Sequence, residues 1–560
     1  MIRMRSMTVL VLAVFVHALH AQDRAAARTT APAQRAWQAP PKLVVGVVVD
    51  QMRPDYIYRY WDNFSGGGFK RLIADGTFLR NTHYTYIPTV TGPGHASIYT
   101  GSVPAHHGIV ANERYDRASR RMLYCVKDTA VKGVGQASAQ ASPFQLLATT
   151  LADEVERRTD GRGRTIGVAL KDRSSVLPIG RTGDAAYWFS GSTGGFVTST
   201  WYMDELPSWV QEFNDRKLTA RYLDQRWEPF FPLERYHQAL PDANNYEQPL
   251  APGAGNAFPY DLAALSKGPA GLGLIASTPW GNTLTTDMAL AALEGEQLGR
   301  DEVTDLLAIS YSSTDILGHK MGLRALEIED MYIRLDQELA RLLNALDEAV
   351  GKGRYTLFLT ADHGAVDVPQ YLKDLKGSGG YLDVRPLRER INAGLKQRES
   401  DSVLFMGDGE IFLEREQGGR VRLKDMMDAF AIARDTLLAD TSVASVSCEP
   451  LSDLFGGDPG IIPARQRNGY MPQRSGDIQY TLKPGYFEAE GAYVGKGTTH
   501  GSGWTYDTHV PVLLYGQGIA QGEVLRRTAV ADIVPTICMV VGCALPDAAV
   551  GDPVPEALQP

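Results

Sequence analysis

Cysteine is scarce in this chain: the 560 residues hold four, Cys125, Cys448, Cys538 and Cys543, and none forms a CxxC pair. That argues against a zinc site built from thiolates and leaves a fold that does not depend on disulfide staples. Cys538 and Cys543 are close enough in sequence to bridge if the backbone turns between them. A basic excess is also missing, because 56 Lys and Arg face 65 Asp and Glu for a net charge of −9. A nucleic-acid-binding surface is therefore not expected. Any anionic partner must be held by local positive charge, from metals or from a few placed basic residues. No apolar run is long: the stretch from Met7 to Val16 falls short of the roughly 20 residues that span a bilayer.

What is present at the N-terminus fits export. Met1-Ile-Arg-Met-Arg-Ser precedes the apolar stretch, and Ala18-Leu-His-Ala21 precedes the polar Gln22-Asp23, the pattern of a signal peptide over residues 1–21. Leu19 is a slightly poor residue for its place before the cleavage point, and a retained anchor is the weaker alternative. Residues 22–41, rich in Ala, Thr, Pro and Gln, read as a flexible leader. The remaining 42–560 has ample length for a large core and an ordinary composition, 44% hydrophobic and 22% charged over the chain. A periplasmic or secreted protein with no stable membrane anchor after cleavage is expected.

Five short runs rich in β-branched residues predict central strands: 43–49, 165–170, 306–311, 355–360 and 510–515. Between the third and fourth, Ile328, Met331, Leu335, Leu339, Leu342 and Leu346 recur at helical spacing, predicting a helix over about 327–350 that ends at Gly351. Strand, helix and strand make a parallel crossover, so the fold class is α/β with a covered, mostly parallel sheet. Residues about 190–285 and about 370–495 break the pattern and read as cap insertions over one sheet edge.

The residues that follow the runs are polar. Asp50 follows the first, Lys171 the second, Asp315 the third and Asp362-His363 the fourth. Ligands of open α/β sheets gather at the carboxyl ends of strands. A catalytic zinc site takes His nitrogen and carboxylate oxygen, usually three protein groups per metal. Asp315 and His319 stand four apart, on one face if helical, and His500 can complete that set. Asp50, Asp362 and His363 can make a second. Each fragment is weak alone, but His is rare here, 11 in all, and His319, His363 and His500 each sit beside Gly with acids nearby.

The strongest motif is Ile87-Pro-Thr-Val-Thr91-Gly-Pro-Gly-His95. Pro93 suits the first turn of a helix, leaving Thr91 near an N-cap where backbone N–H groups favour a phosphoryl group. The bland alternative is that Thr91 only caps that helix. As a nucleophile its hydroxyl needs a metal to lower its pKa. Lys171 and Arg173 suit phosphoryl oxygens as point charge and planar fork, although Lys and Arg are most often surface residues.

Together with Thr100-Gly-Ser-Val-Pro-Ala-His-His-Gly-Ile-Val-Ala-Asn112, Lys171-Asp-Arg173, Ser313-Thr-Asp315-Ile-Leu-Gly-His319, Thr360-Ala-Asp-His-Gly364 and Gly497-Thr-Thr-His-Gly501, this motif resembles the threonine-nucleophile phosphomonoesterases of the alkaline phosphatase superfamily, the PafA-like periplasmic enzymes. The resemblance covers nearly all of the mature chain. It implies an alkaline-phosphatase-like fold and two zinc ions per chain, one held by Asp315, His319 and His500, the other by Asp50, Thr91, Asp362 and His363. It also implies phosphoryl contacts from Asn112, Lys171 and Arg173, and hydrolysis of small phosphate monoesters through a phosphothreonine at Thr91. The nearest rival is a phosphodiesterase or nucleotide pyrophosphatase of the same superfamily, in which the Lys-x-Arg pair is usually lacking. A sulfatase lacks support because no Cys-x-Pro-x-Arg signal surrounds Thr91, and a phosphoglycerate mutase relative is expected in the cytosol with serine there. From another class, an exported metal-binding protein without turnover stays open.

Overall fold

The computed structural model describes residues 39–398, 402–414, 422–452, 460–489, 491 and 494–560. The expected signal peptide and nearly all of the leader lie outside them. Residues 40–558 form one compact unit.

Its centre is an eleven-stranded mixed sheet, most of whose central strands are parallel. In chain order the strands used below are β1 (Leu43–Val49), β2 (Thr77–His83), β3 (Gly133–Val134), β4 (Thr165–Ala169), β5 (Ala185–Phe189), β6 (Phe196–Ser199), β7 (Asp305–Tyr311), β8 (Tyr355–Thr360), β13 (His509–Gly516) and β14 (Gly522–Val524). β9 (Val403–Gly407), β10 (Glu410–Leu413), β11 (Val443–Ser447) and β12 (Ile478–Leu482) form a separate four-stranded sheet, ordered β9-β10-β12-β11. The main order is β14-β2-β13-β8-β1-β7-β4-β5-β6-β3, with Thr528–Ala529 pairing against β2.

All five predicted runs are strands. β1, β7 and β8 are buried along their whole length, as expected of strands covered on both faces. β1 pairs in parallel with β7 on one side and β8 on the other, and β7 with β4. The fifth run, β13, lies antiparallel to both β8 and β2. Its ladder to β2 shifts register at Pro511, which has no N–H to offer. The predicted helix is α5 (Leu326–Leu346), continued by one wider turn that stops at Gly351, where φ is 105°. The other helices that matter are α1 (Thr91–Thr100), α2 (Asp172–Ile179), α3 (Pro279–Gly295) and α4 (Ser313–Met321).

The two irregular stretches differ. Phe196, Val210, Phe213, Trp227 and Leu262 join the main core, so much of 190–285 packs with the central sheet. The four-stranded sheet has its own core, in which Leu387 and Ile391 of α6 (Arg385–Gln397) and Ala429 and Ala433 of α7 (Leu423–Leu438) meet Ile411 and Ile478. All four cysteines are free thiols, Cys538 and Cys543 included.

Helix α1 is buried at every position, and the next short helix, Pro104–His107, props it. The His107 Nδ1 accepts from the Ile109 N–H at 3.2 Å, so Nε2 carries the hydrogen donated to Ser97 Oγ at 2.9 Å. Burial, then the charges of His106 and Arg474, push this imidazole down from 6.5 to about 3. The unfolded chain therefore binds a proton between pH 6.5 and 3 that the folded chain refuses. Stability is complete above that window and falls as pH drops through it. Between pH 7 and pH 5 this one group costs about 2 kcal/mol. Urea unfolding of the parent and His107→Gln at both pH values should show the variant losing that much less; identical losses would exclude the assignment.

Candidate active site

Strand register explains why distant residues meet. Val49 aligns with Tyr311, Val48 with Thr360, and Ser310 with Ala169, so β1, β7, β8 and β4 end level. Asp50, the Asp315 turn, Asp362-His363 and Lys171 leave those ends together. β13 runs the other way, so the loop before it reaches the same edge and delivers His500. β2, antiparallel to β13, also ends there and leads into Thr91 at the first position of α1. Backbone contact is close: a Cβ on Gly94 would lie 2.5 Å from the Asp362 carbonyl, and one on Gly46 would strike Tyr99 and Phe358. Glycine is required at both places so that α1 can lie against β1 and the end of β8.

The three histidines share one arrangement. His319 Nδ1 faces the Thr498 carbonyl at 2.9 Å, His500 Nδ1 the Thr89 carbonyl at 2.9 Å, and His363 Nδ1 the Gly364 carbonyl at 3.0 Å. A carbonyl only accepts, so each Nδ1 bears the hydrogen, and each neutral ring offers its Nε2 lone pair. Those Nε2 atoms face carboxylates. His319 and His500 lie 3.2 and 3.5 Å from Asp315 Oδ1, and His363 lies 3.4 Å from Asp50 Oδ1 and 3.5 Å from Asp362 Oδ2. Backbone carbonyls that fix ring tautomers are what metal-ligating histidines ordinarily have behind them.

Among the described residues, two groups of side chains can hold a metal ion: Asp315 with His319 and His500, and Asp50 with Asp315 and His363. The first is the set expected from sequence. In the second, Asp315 stands close enough to join Asp50 and His363, so it lies between the two groups, while Asp362 borders His363. Asp50 Oδ1, Asp362 Oδ2 and His363 Nε2 are buried and have no hydrogen-bond partner. Orphaned lone pairs of this kind, two anionic and one imidazole, fit a cation.

The electrostatics agree. Burial, then repulsion from Asp315 and Asp362, pushes Asp50 up to about 8. Burial likewise pushes Asp362 up to about 7. Asp315 resists burial because His319 and Lys171 hold it well below the usual carboxylate range. Lys171 Nζ bridges Asp50 Oδ2 at 2.5 Å and Asp315 Oδ2 at 2.6 Å. Three buried carboxylates around a single ammonium leave negative charge in excess, which bound cations would offset without protonation.

Thr91 is 1% exposed, and its Oγ1 lies 3.5 Å from Lys171 Nζ and 3.4 Å from Arg173 Nη2. Asn112 Oδ1 accepts from the Gly92 N–H at 2.6 Å, leaving its amide nitrogen beside the start of α1. All ten residues singled out from sequence thus lie at one sheet edge. Three neighbours carried no signal of their own. Gln51 donates to Asp315 from its side chain and to Asp362 from its backbone. Tyr124 accepts from Arg173 Nη1 at 2.9 Å and donates to Asp172, orienting the guanidinium. His95 lies 3.4 Å from Asp362 and 2.9 Å from Ser310 Oγ.

The chain is a member of the alkaline phosphatase superfamily. Within it, the chain belongs to the type I phosphodiesterase / nucleotide pyrophosphatase family, whose model matches residues 44–503. It is 42% identical over 526 residues to a Myroides odoratus protein named calcium-transporting ATPase, covering 93% of this chain and 95% of that one. It is 41% identical over 527 residues to the alkaline phosphatase PafA of Elizabethkingia meningoseptica, covering 92% and 94%. The crystal structure of wild-type alkaline phosphatase PafA superposes with a TM-score of 0.86 at 39% identity, covering 93% of this chain and all of that one. Among the described residues no helix is long and apolar enough to cross a membrane.

The close approach at Gly94 has a direct test. Gly94→Ala forces the Asp362 backbone outward and should cost about 1–3 kcal/mol. Chemical denaturation reads that loss, and an unchanged midpoint would mean that α1 does not rest on the end of β8.

Proposed function

We propose that this chain is an exported, zinc-dependent phosphatase that hydrolyses phosphate monoesters through a phosphothreonine at Thr91. The observation that carries the reading is the convergence of three histidine Nε2 atoms and three carboxylates at one sheet edge, where Lys171 contacts both Asp50 and Asp315 and, with Arg173, the hydroxyl of Thr91. Homology over nearly the whole chain to an enzyme named alkaline phosphatase supports the monoester as substrate.

Asp315, His319 and His500 would hold one zinc, and Asp50, Asp362, His363 and Thr91 the other. Bound there, two zinc ions lower the pKa of the threonine hydroxyl and of water and stabilise attacking and leaving oxygens. The chain's own groups do the rest. Thr91 Oγ attacks phosphorus, the bond to the ester oxygen breaks, and the alcohol departs. Water then attacks the phosphothreonine, releasing phosphate and restoring the hydroxyl. Throughout, Arg173 offers its fork, Lys171 its charge and Asn112 its amide to the non-bridging oxygens. Tyr124 holds the guanidinium still, and the N-terminus of α1 adds its dipole. A monoester carries two negative charges and a diester one, so the basic pair favours the monoester over the rival diesterase reading.

Elemental analysis of zinc-equilibrated protein should give about two zinc ions per chain. Full turnover in a chelated, metal-free sample would refute the cofactor. With zinc present, 4-nitrophenyl phosphate should exceed methyl 4-nitrophenyl phosphate in kcat/KM by about 100-fold or more; equal or reversed values favour the diesterase. Acid quenching during turnover should trap a phosphoryl group on the parent and none on Thr91→Ala. An adduct that survives in the folded variant moves the nucleophile elsewhere.

A further inference from the structure

The site opens into a cavity of about 550 Å³ whose wall runs from Asn112, Arg173 and His500 to the four-stranded sheet. That volume suits a small organic molecule. Its two ends have opposite character. At the Thr91 end stand Arg173 and, next to it, Lys171. The rest of the lining includes Asp408, Glu410 and Glu488, with Glu113 opposite Tyr124 on the adjoining hairpin, and among the described residues Arg173 is the only Lys or Arg that lines the cavity at all.

These acids are not absorbed by the fold. Glu488 is hydrogen-bonded by Tyr480 Oη at 2.7 Å and by the Asp408 and Gly409 amides at 3.0 and 2.9 Å. Glu410 accepts only a backbone N–H, from Gly476 at 3.0 Å. Arg117, which acts on Glu410 through space, pairs directly with Asp477 at 2.8 Å. Among the described residues Glu113, Asp408 and Glu410 form no ion pair. Burial, then Asp408 and Asp477, pushes Glu410 up to about 7, and burial also raises Asp408 and Glu488. Charges so crowded gain from an incoming cation.

A second observation is independent of the acids. Gln479 on β12 is the cross-strand partner of Glu410, is 8% exposed and lines the same cavity, and its Oε1 has no hydrogen-bond partner. A buried acceptor without a donor costs free energy until one arrives. Tyr124, Tyr486 and Phe487 complete the wall with aromatic surface, which attracts cations as well as apolar groups.

We propose that the cap end of this cavity is a leaving-group subsite that selects phosphate monoesters whose alcohol carries a protonated amine. Such a zwitterion matches the cavity: its phosphate meets Arg173 and Lys171, and its ammonium meets Glu113, Asp408 and Glu410 beside Gln479. Alcohols bearing a carboxylate are disfavoured, because the wall repels them. The inference rests on the phosphomonoesterase reading and adds to it which alcohol is preferred.

Three aryl esters of matched leaving-group basicity test it on the zinc-loaded enzyme: the phosphates of tyramine, 4-ethylphenol and 3-(4-hydroxyphenyl)propanoate. The expected order of kcat/KM is ammonium, neutral, carboxylate, with about tenfold or more between the first and last, the scale of one partly solvated charge pair. In Glu113→Gln with Asp408→Asn the ammonium-to-carboxylate ratio should collapse toward one. The ratio is read rather than the rate, so a general loss of activity cancels. Asp408 sits at φ 53°, a conformation Asn accepts, and each single variant should move the ratio partway if the pair misfolds. One rate for all three esters, or a ratio that survives the substitutions, overturns the subsite. Failure to hydrolyse the neutral ester overturns the phosphomonoesterase reading and the subsite with it.

Discussion

Everything at the functional edge follows from the charge of Asp50, Asp315 and Asp362, buried at 0%, 3% and 0% exposure. Carboxylates so enclosed cannot all stay ionised against one ammonium. The fold accepts that cost because parallel strands of equal register end together, and whatever follows them must share one small volume. The same geometry places Thr91 within reach of Lys171 and Arg173. Charge excess and orphaned lone pairs are therefore consequences of one alignment, that of β1 with β7 and β8.

Much of this was legible in the sequence, because buried parallel strands write themselves as uninterrupted apolar runs. All five runs became strands, and the residues after four of them mark the site. His500 was harder to place by that logic, since it precedes an antiparallel strand rather than following a parallel one. β2 was invisible as a strand: Arg80 and Asn81 interrupt it, and its face toward the sheet edge is polar. It nevertheless positions Thr91, which only the Pro-Thr-Val-Thr-Gly-Pro-Gly-His motif revealed.

The supports were least legible. Tyr124 lies on a short surface hairpin, and nothing in its surroundings announces that its hydroxyl holds Arg173. Gln51 looks like an ordinary polar neighbour of Asp50, yet it braces two carboxylates at once. The acidic wall of the cavity comes from residues whose pairing depends on a second sheet formed far along the chain. Spacing rules see elements one at a time, whereas these contacts arise between elements.

The residues proposed to hold cations are dispersed along the chain as Asp50, Asp315 and His319, Asp362 and His363, and finally His500. No continuous segment contains a complete set, and the last member arrives just before the strand that closes the sheet. A polypeptide still emerging from the ribosome carries Asp50, Asp315 and His363 once residue 363 is made, but lacks His500 until nearly its end. Completion of the group formed by Asp315, His319 and His500 therefore waits for one of the last strands of the sheet to form.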